Sequence, residues 1–187
     1  MMTLHSIKEY LRYRWVAQGR HGVHSPFVYS FIEEVLQGRK RTLPRKDTGG
    51  VPHQYLKLIY KIMKYFGTEE VFYYATFEGA SRLYQFNPKR GFVFKEYRDE
   101  LPEHIEMLWI EHPDVAKWTE AAIGNLNRLI PSGMVILSNI HKTEEASKTW
   151  EAMHSRSEVT LSLDIYRIGL LFFKNEFKEK QHFVLKY

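Results

Sequence analysis

The chain of 187 residues contains no cysteine. This absence excludes disulfides, thiolate metal sites and cysteine nucleophiles, and it suits a reducing compartment. No stretch approaches the roughly 20 apolar residues that span a bilayer. Residues 1–10 also lack the uninterrupted apolar core of a signal peptide. We therefore expect a cytoplasmic protein with no membrane partner.

Net positive charge is absent outside the first quarter of the chain. Residues 1–46 carry nine Lys/Arg and three Glu, a net of +6, whereas residues 47–187 carry 18 Lys/Arg and 19 Asp/Glu, a net of −1. A basic segment attracts phosphate, nucleic acid or an acidic partner, although it is equally compatible with a solvated helical face. No RNA- or DNA-binding motif accompanies it, and Tyr10, Tyr13 and Trp15 would fit a helix core as well. These observations disfavour a nucleic-acid partner.

Three helices are predicted before residue 68, because apolar residues recur there every three or four positions. The first carries a stripe of Leu4, Ile7, Leu11 and Trp15. The second starts with Ser25, a good N-cap, and Pro26 at the first helical position. The third is expected at residues 52–66. Each is followed by a glycine that predicts its end, namely Gly19, Gly38 and Gly67.

From residue 71 onward, short apolar strands alternate with helices. Strands are predicted at residues 71–75, 91–94, 107–110, 134–137, 159–163, 168–173 and 182–185, and helices at residues 114–130 and 143–153. This alternation predicts an α/β fold with a mostly parallel sheet covered on both faces. The short polar turn at residues 174–180 favours an antiparallel pair of the last two strands. We predict an N-terminal helical extension with a basic linker at residues 1–50, and an α/β domain at residues 51–187.

Two stretches carry a family resemblance. Residues 20–28 read RHGVHSPFV and resemble the HGVHSPFV signature of a bacterial family of S-adenosylmethionine (SAM)-dependent methyltransferase-like proteins. Residues 134–187 resemble the C-terminal third of that family nearly end to end. The resemblance implies a Rossmann-like, class I methyltransferase-type sheet, mostly parallel with antiparallel C-terminal strands.

The family's cofactor loop follows its first strand and resembles E-L-G-T-S-L-G-I-S, where this chain reads YYATFEGAS at residues 73–81. Glycines let such a loop come close to the cofactor. Here the first glycine is replaced by Ala75, while Thr76, Gly79 and Ser81 match the pattern. The resemblance therefore implies an eroded cofactor loop with these four residues as its candidates.

The end of the second strand offers Glu96, placed where an acidic residue takes the ribose hydroxyls in related folds. A surface glutamate beside Lys95 and Arg98 is the alternative. Only residues 98–106 separate this strand from the next one, too few for a crossover that contains a helix and a strand. The family's third-strand unit is therefore missing from this chain.

Two further family motifs are altered. A motif resembling D-G-N-H corresponds to EHPD at residues 111–114, where Glu111 keeps an acid near the expected cofactor. A motif resembling D-D-I-H-W corresponds to SNIHK at residues 138–142, which lacks both carboxylates. Hard cations need several oxygen ligands, so we expect no metal. His141 follows a strand's carboxyl end, where α/β ligands bind, and is the candidate general base.

These losses support a degenerate methyltransferase-like protein without catalytic activity, a pseudoenzyme that binds an unknown protein or small molecule and needs no cofactor. The alternative is an active SAM-dependent methyltransferase that uses Glu96 for the ribose and Glu111 or His141 near the substrate. The second alternative is a nucleic-acid-binding module formed by the basic segment. Because the missing unit would leave an exposed sheet edge, we also expect a homodimer.

Overall fold

The computed structural model describes residues 3–38, 53–68, 70–75, 93–96, 102–173 and 179–187. Its α-helices are α1 (Leu4–Val16), α2 (Pro26–Phe31), α3 (His53–Phe66), α4 (Ala116–Ile123) and α5 (Glu144–His154). Its strands are β1 (Glu70–Ala75), β2 (Val93–Glu96), β3 (Ile105–Glu111), β4 (Leu129–Ser138), β5 (Leu161–Asp164), β6 (Ile168–Phe172) and β7 (Gln181–Val184). Within these ranges, no helix is both long enough and apolar enough to cross a membrane.

The strands form one sheet in the order β2-β1-β3-β4-β6-β5-β7. Strand β6 runs antiparallel to both of its neighbours, and every other pair is parallel. The predicted α/β fold with a mostly parallel, Rossmann-like sheet is therefore confirmed. The predicted antiparallel pairing of the last two strands is wrong. Strand β5, buried at all four positions, lies between them and pairs with both. A short stretch of sequence between two strands does not by itself make them neighbours in the sheet.

Apolar side chains cover the sheet on both faces. One face packs against α2, its π-helical continuation at Ile32–Leu36, and α3. The opposite face packs against α4 and α5. Bulky rings fill these layers as the composition predicts, and Trp109, Trp118 and Trp150 are among the largest fully buried side chains. The result is a three-layer sandwich whose strand ends are held by packing on both sides.

Side-chain capping fixes two helix starts where the sequence predicts them. The Thr143 Oγ1 accepts a hydrogen bond from the Ala146 amide at 3.1 Å at the start of α5. The Ser25 Oγ accepts one from the Val28 amide at 3.5 Å at the start of α2, with Pro26 following it. Gly67 has a φ of 64° and ends α3, as a glycine after a helix commonly does.

The helix predicted at residues 114–130 is shorter in the structure, where it spans Ala116–Ile123. Helix α4 ends at Ile123, because Gly124 follows and the Asn125 side chain donates to the Ala121 carbonyl at 2.8 Å. A short 3₁₀ turn then leads directly into β4, which begins at Leu129 instead of Met134. The register between β3 and β4 shifts in this region, so β4 accommodates Pro131 at an irregular site.

Helix α1 presents its predicted apolar stripe to solvent. Leu4 is 85% exposed, Leu11 63% and Trp15 91%, whereas Tyr13 is only 5% exposed. The expectation that these aromatic residues fit a helix core is therefore confirmed for Tyr13 and wrong for Trp15. The reason is that α1 docks through polar contacts. The Tyr13 hydroxyl donates to the Leu185 carbonyl at 2.6 Å and accepts from the Tyr187 amide at 3.0 Å.

The N-terminal segment packs on the sheet. The Gln18 amide donates to the Val184 carbonyl at 2.8 Å, and the Lys186 amide donates to the Gln18 carbonyl at 3.0 Å. Farther along, Val28 and Phe31 of α2 are fully buried in the same apolar layer as the strands. The division between residues 50 and 51 stays a prediction.

Candidate functional site

Three of the residues proposed for a cofactor lie at one edge of the sheet. Ala75 ends β1, Glu96 ends β2 and Glu111 ends β3. In the strand register, Ala75 lies opposite Glu111, and Glu96 lies opposite Tyr73. This is the carboxyl edge of parallel strands, where open α/β sheets bind ligands. The other three candidates, Thr76, Gly79 and Ser81, lie outside the described residues.

A flat stack of two rings stands beside Glu111. The Tyr74 and His112 rings lie 5.1 Å apart at an interplanar angle of 7°. The His112 backbone is fixed by a hydrogen bond, since its carbonyl accepts from the Trp118 indole at 2.8 Å. Sequence comparison of residues 111–114 drew attention to Glu111 and missed this stack, because Tyr74 lies on a different strand.

The end of β4 turns sharply away from this edge. Asn139 has a φ of 62°, a left-handed conformation that asparagine tolerates better than most residues. Its amide donates to the Arg167 carbonyl at 2.6 Å. Just before it, the buried Ser138 hydroxyl accepts from the Trp109 indole at 2.7 Å. Residues 138 and 139 therefore serve local structure.

His141 lies in a chain of hydrogen bonds that reaches α1. Its Nε2 is 2.7 Å from the Asp164 Oδ2, and its Nδ1 is 3.3 Å from the Ser147 Oγ. Both ring nitrogens therefore have a hydrogen-bond partner within the protein. The Ser147 oxygen is in turn 3.1 Å from the His5 Nε2. The His141 side chain is only 12% exposed.

Two further histidines stack beside this chain. The His154 and His182 rings lie 4.1 Å apart at 10°. The His182 Nδ1 is 2.7 Å from the Ser162 Oγ, and the His154 Nε2 is 3.1 Å from the Glu151 carboxylate. Burial of part of the ring, and next the neighbouring His154, lower the pKa of His182 to about 4. We call His141, His154 and His182 the histidine cluster.

A small polar cavity lies within the histidine cluster. Its volume is about 70 Å³, room for about two water molecules and far below the size of a cofactor pocket. It is lined by Glu9, Arg12, Tyr13, Val16, His141, Trp150, Glu151, Asp164, His182 and Val184. Among the described residues, no group of three or more His, Cys, Asp or Glu could hold a metal ion.

A larger groove runs along β7 at the opposite margin of the sheet from β2. Its volume is about 910 Å³, which is enough for a small molecule. Part of its wall is the signature segment, through Gly22, His24, Ser25, Pro26 and Phe27, and the rest comes from Gln18, Glu179, Gln181, His182 and Phe183. The Gln181 Oε1 is buried and makes no hydrogen bond within the described structure. The groove therefore has the size of a small-molecule site, and Gln181 is one of the residues that line it.

The predicted site residues thus separate into two places. Ala75, Glu96 and Glu111 share the β2-β1-β3 edge, whereas His141 pairs with Asp164 on β5, with β4 and β6 between them. Sequence reasoning missed Asp164 and Ser147. The only available signal was the polar residue at every second position of β5, Ser162 and Asp164, in a strand that is otherwise apolar.

Comparison with protein-family models gave no match, and a comparison with curated proteins gave no significant match either.

Proposed function

We propose that this chain is a degenerate methyltransferase-like domain without catalytic activity that acts as a binding or scaffold protein. The observation that carries the proposal is the engagement of His141. Both ring nitrogens of His141 are in contact with groups of the protein, Asp164 and Ser147, and its side chain is 12% exposed. A general base that acts on a substrate needs a ring nitrogen within hydrogen-bond reach of the substrate proton that it removes.

Ser147, His141 and Asp164 share their residue types with a hydrolytic triad, and the contacts favour a different role. His5 lies against the same Ser147 oxygen, and Glu9 lies 3.9 Å from the His141 Nδ1. Both residues belong to α1. The hydrogen-bond chain therefore joins α1 to α5 and β5, and α1 covers the serine that a substrate would have to reach.

Support for the methyltransferase-like part comes from the sheet. Six strands share one direction and β6 alone is reversed near the C-terminal margin, which is the outline that the sequence resemblance implies. Strand β2 forms the margin of the described sheet, and residues 97–104 alone connect it with β3. One wall of a SAM pocket would be absent there.

Support for a binding role comes from the groove along β7. The signature segment, which carries the family resemblance, lines it, and the groove has a volume of small-molecule size. This groove lies at the other margin of the sheet from the expected cofactor position.

The test is a calorimetric titration of the whole chain with SAM and with its demethylated product. We expect no heat of binding and no thermal stabilisation at millimolar ligand. The matched variants are Glu111→Gln, at the carboxyl end of β3, and Glu106→Gln, an exposed position near the amino end of the same strand. Micromolar binding that Glu111→Gln abolishes and Glu106→Gln retains would overturn the proposal in favour of the active enzyme.

A further inference from the structure

Helix α1 exposes a continuous apolar ridge, which we define as Leu4, Ile7, Leu11 and Trp15. Their exposed fractions are 85%, 43%, 63% and 91%. With 3.6 residues per turn, these positions fall on one side of the helix, opposite the buried Tyr13. Large apolar side chains exposed in a contiguous row mark an interaction surface more often than isolated ones do.

The charged side chains of α1 beside this ridge are cations. Lys8 and Arg12 lie along one side of it and Arg14 along the other, as the helical repeat requires. The single acid of α1, Glu9, has a side chain only 13% exposed and is turned towards His141. The outward face of α1 therefore combines protruding apolar groups with positive charge, which calls for an anionic partner.

A second copy of the chain fits this face poorly. Two ridges packed against each other would bring Lys8, Arg12 and Arg14 of one copy close to the same cations of the other. Like charges across an interface disfavour association. The one acid of α1, Glu9, lies 3.9 Å from both Arg12 and His141, and Glu144 of α5 is the acid that acts on Lys8.

We propose that the α1 ridge docks the protein on an anionic lipid surface. A helix with leucine and tryptophan on one side and Lys/Arg beside them lies in the plane of such an interface, with its apolar side chains inserted and its cations at the headgroups. The expectation of no membrane partner came from the lack of a spanning segment, and a helix lying on the surface needs none. The inference holds whether or not the chain binds SAM.

Tryptophan fluorescence gives this docking a direct readout. The chain has four tryptophans. Trp109, Trp118 and Trp150 are at most 2% exposed, whereas Trp15 is 91% exposed. Insertion of the ridge therefore shifts the emission of Trp15 to shorter wavelength and protects it from acrylamide, while the other three contribute a constant background.

The experiment is flotation and fluorescence titration of the full chain with vesicles of phosphatidylcholine containing about 30% phosphatidylserine, beside vesicles of phosphatidylcholine alone. We expect binding to the anionic vesicles, with the Trp15 shift, and about fivefold weaker binding for each of Lys8→Gln and Arg14→Gln. Leu11→Ser should weaken binding roughly tenfold. Tyr29→Ser, which alters an exposed aromatic residue on α2, is the matched control and should bind normally.

Unfolding by urea confirms that each variant is folded, which the exposure of these side chains leads us to expect. Absence of vesicle binding at low salt, with Trp15 still quenched by acrylamide, overturns the proposal. So does a Trp15 shift without vesicles that grows with protein concentration, which indicates self-association. Binding to mixed RNA that the lysine and arginine variants weaken and Leu11→Ser does not, in the absence of vesicle binding, also overturns it.

Discussion

The two halves of the sheet use their polar side chains differently. At the β2-β1-β3 edge, Glu111 stands beside a stack of Tyr74 and His112 at the ends of parallel strands. In the other half, His141 and Asp164 are bound to each other and, through Ser147, to α1. Both sets lie at the carboxyl ends of strands, where α/β folds place their chemistry.

This difference shows that position alone does not assign a role. His141 occupies a place typical of catalytic residues, yet its hydrogen bonds close a joint between α1, α5 and β5. The hydrogen-bonded contacts of the histidine half and the ring stack of the other half are separate local structures. Single substitutions should therefore affect the two halves differently.

The sharpest way to test the packing of the histidine half is Gly169→Ala on β6. An added Cβ would lie 2.5–2.8 Å from the Trp150 ring, which packs against this backbone. We expect a loss of about 3 kcal/mol in the free energy of unfolding, measured with urea. Gly19→Ala, where no atom lies within 4 Å of the added Cβ, should change it by less than about 0.5 kcal/mol. Equal effects would show that the half is loosely packed.

Removing one histidine from each half compares them directly. His141→Ala leaves the buried Asp164 without its nearest donor and should cost about 2 kcal/mol in urea unfolding. His112→Ala removes the stack on Tyr74 and should cost about 1 kcal/mol. If His112→Ala proved the more destabilising, the ring stack would contribute more to stability than the His141–Asp164 contact.

Removal of one hydroxyl group should weaken the attachment of α1 to the rest of the protein. Tyr13→Phe removes a hydroxyl that joins the Leu185 carbonyl and the Tyr187 amide, and we expect a loss of about 1.5 kcal/mol. Hydrogen exchange in α1 should accelerate more than exchange in β3. Tyr10→Phe is the control. Because Tyr10 is 38% exposed, loss of its hydroxyl should change the free energy of unfolding little.

Lowering the pH should reduce the stability of the histidine half, and this is the smallest of the expected effects. The pKa of His182 is lowered to about 4, below the value of about 6.5 in an unfolded chain. As the pH falls, the unfolded state therefore binds the proton first, so this stabilisation is complete above about pH 6.5 and is lost towards pH 4. Since His182 is partly solvent-accessible, we expect about 0.5 kcal/mol between pH 7 and 5. His182→Gln should remove that difference in paired urea titrations, and an unchanged slope would contradict it.

Local signals predicted much of the fold. The caps at Ser25 and Thr143 and the end of α3 at Gly67 depend on neighbouring residues alone, so they could be found from the sequence. The buried strands could also be found, because continuous apolar runs are typical of parallel sheets. The pairing of β7 with β5 could not, since strand order depends on contacts between distant segments.

The candidate site was less predictable for the same reason. Asp164 is separated from His141 by 23 positions and His5 from Ser147 by 142, so no local pattern indicates either contact. The stripe on α1 suggested a buried face, and it is exposed. Helical spacing shows that residues share a face, but it does not show whether that face points towards the core or towards solvent. Leu11 and Trp15 have the spacing of a core stripe and the exposure of a surface.

The attachment of α1 also constrains the order in which the chain folds. Tyr13 bonds to Leu185 across 172 positions, and Tyr166 donates to the Ser6 carbonyl across 160. During synthesis, the docking surface of the inward face of α1 is therefore incomplete until residue 185 has left the ribosome. Helices this short are marginal in isolation. We therefore expect α1 to be secured after the strands that it packs against have assembled.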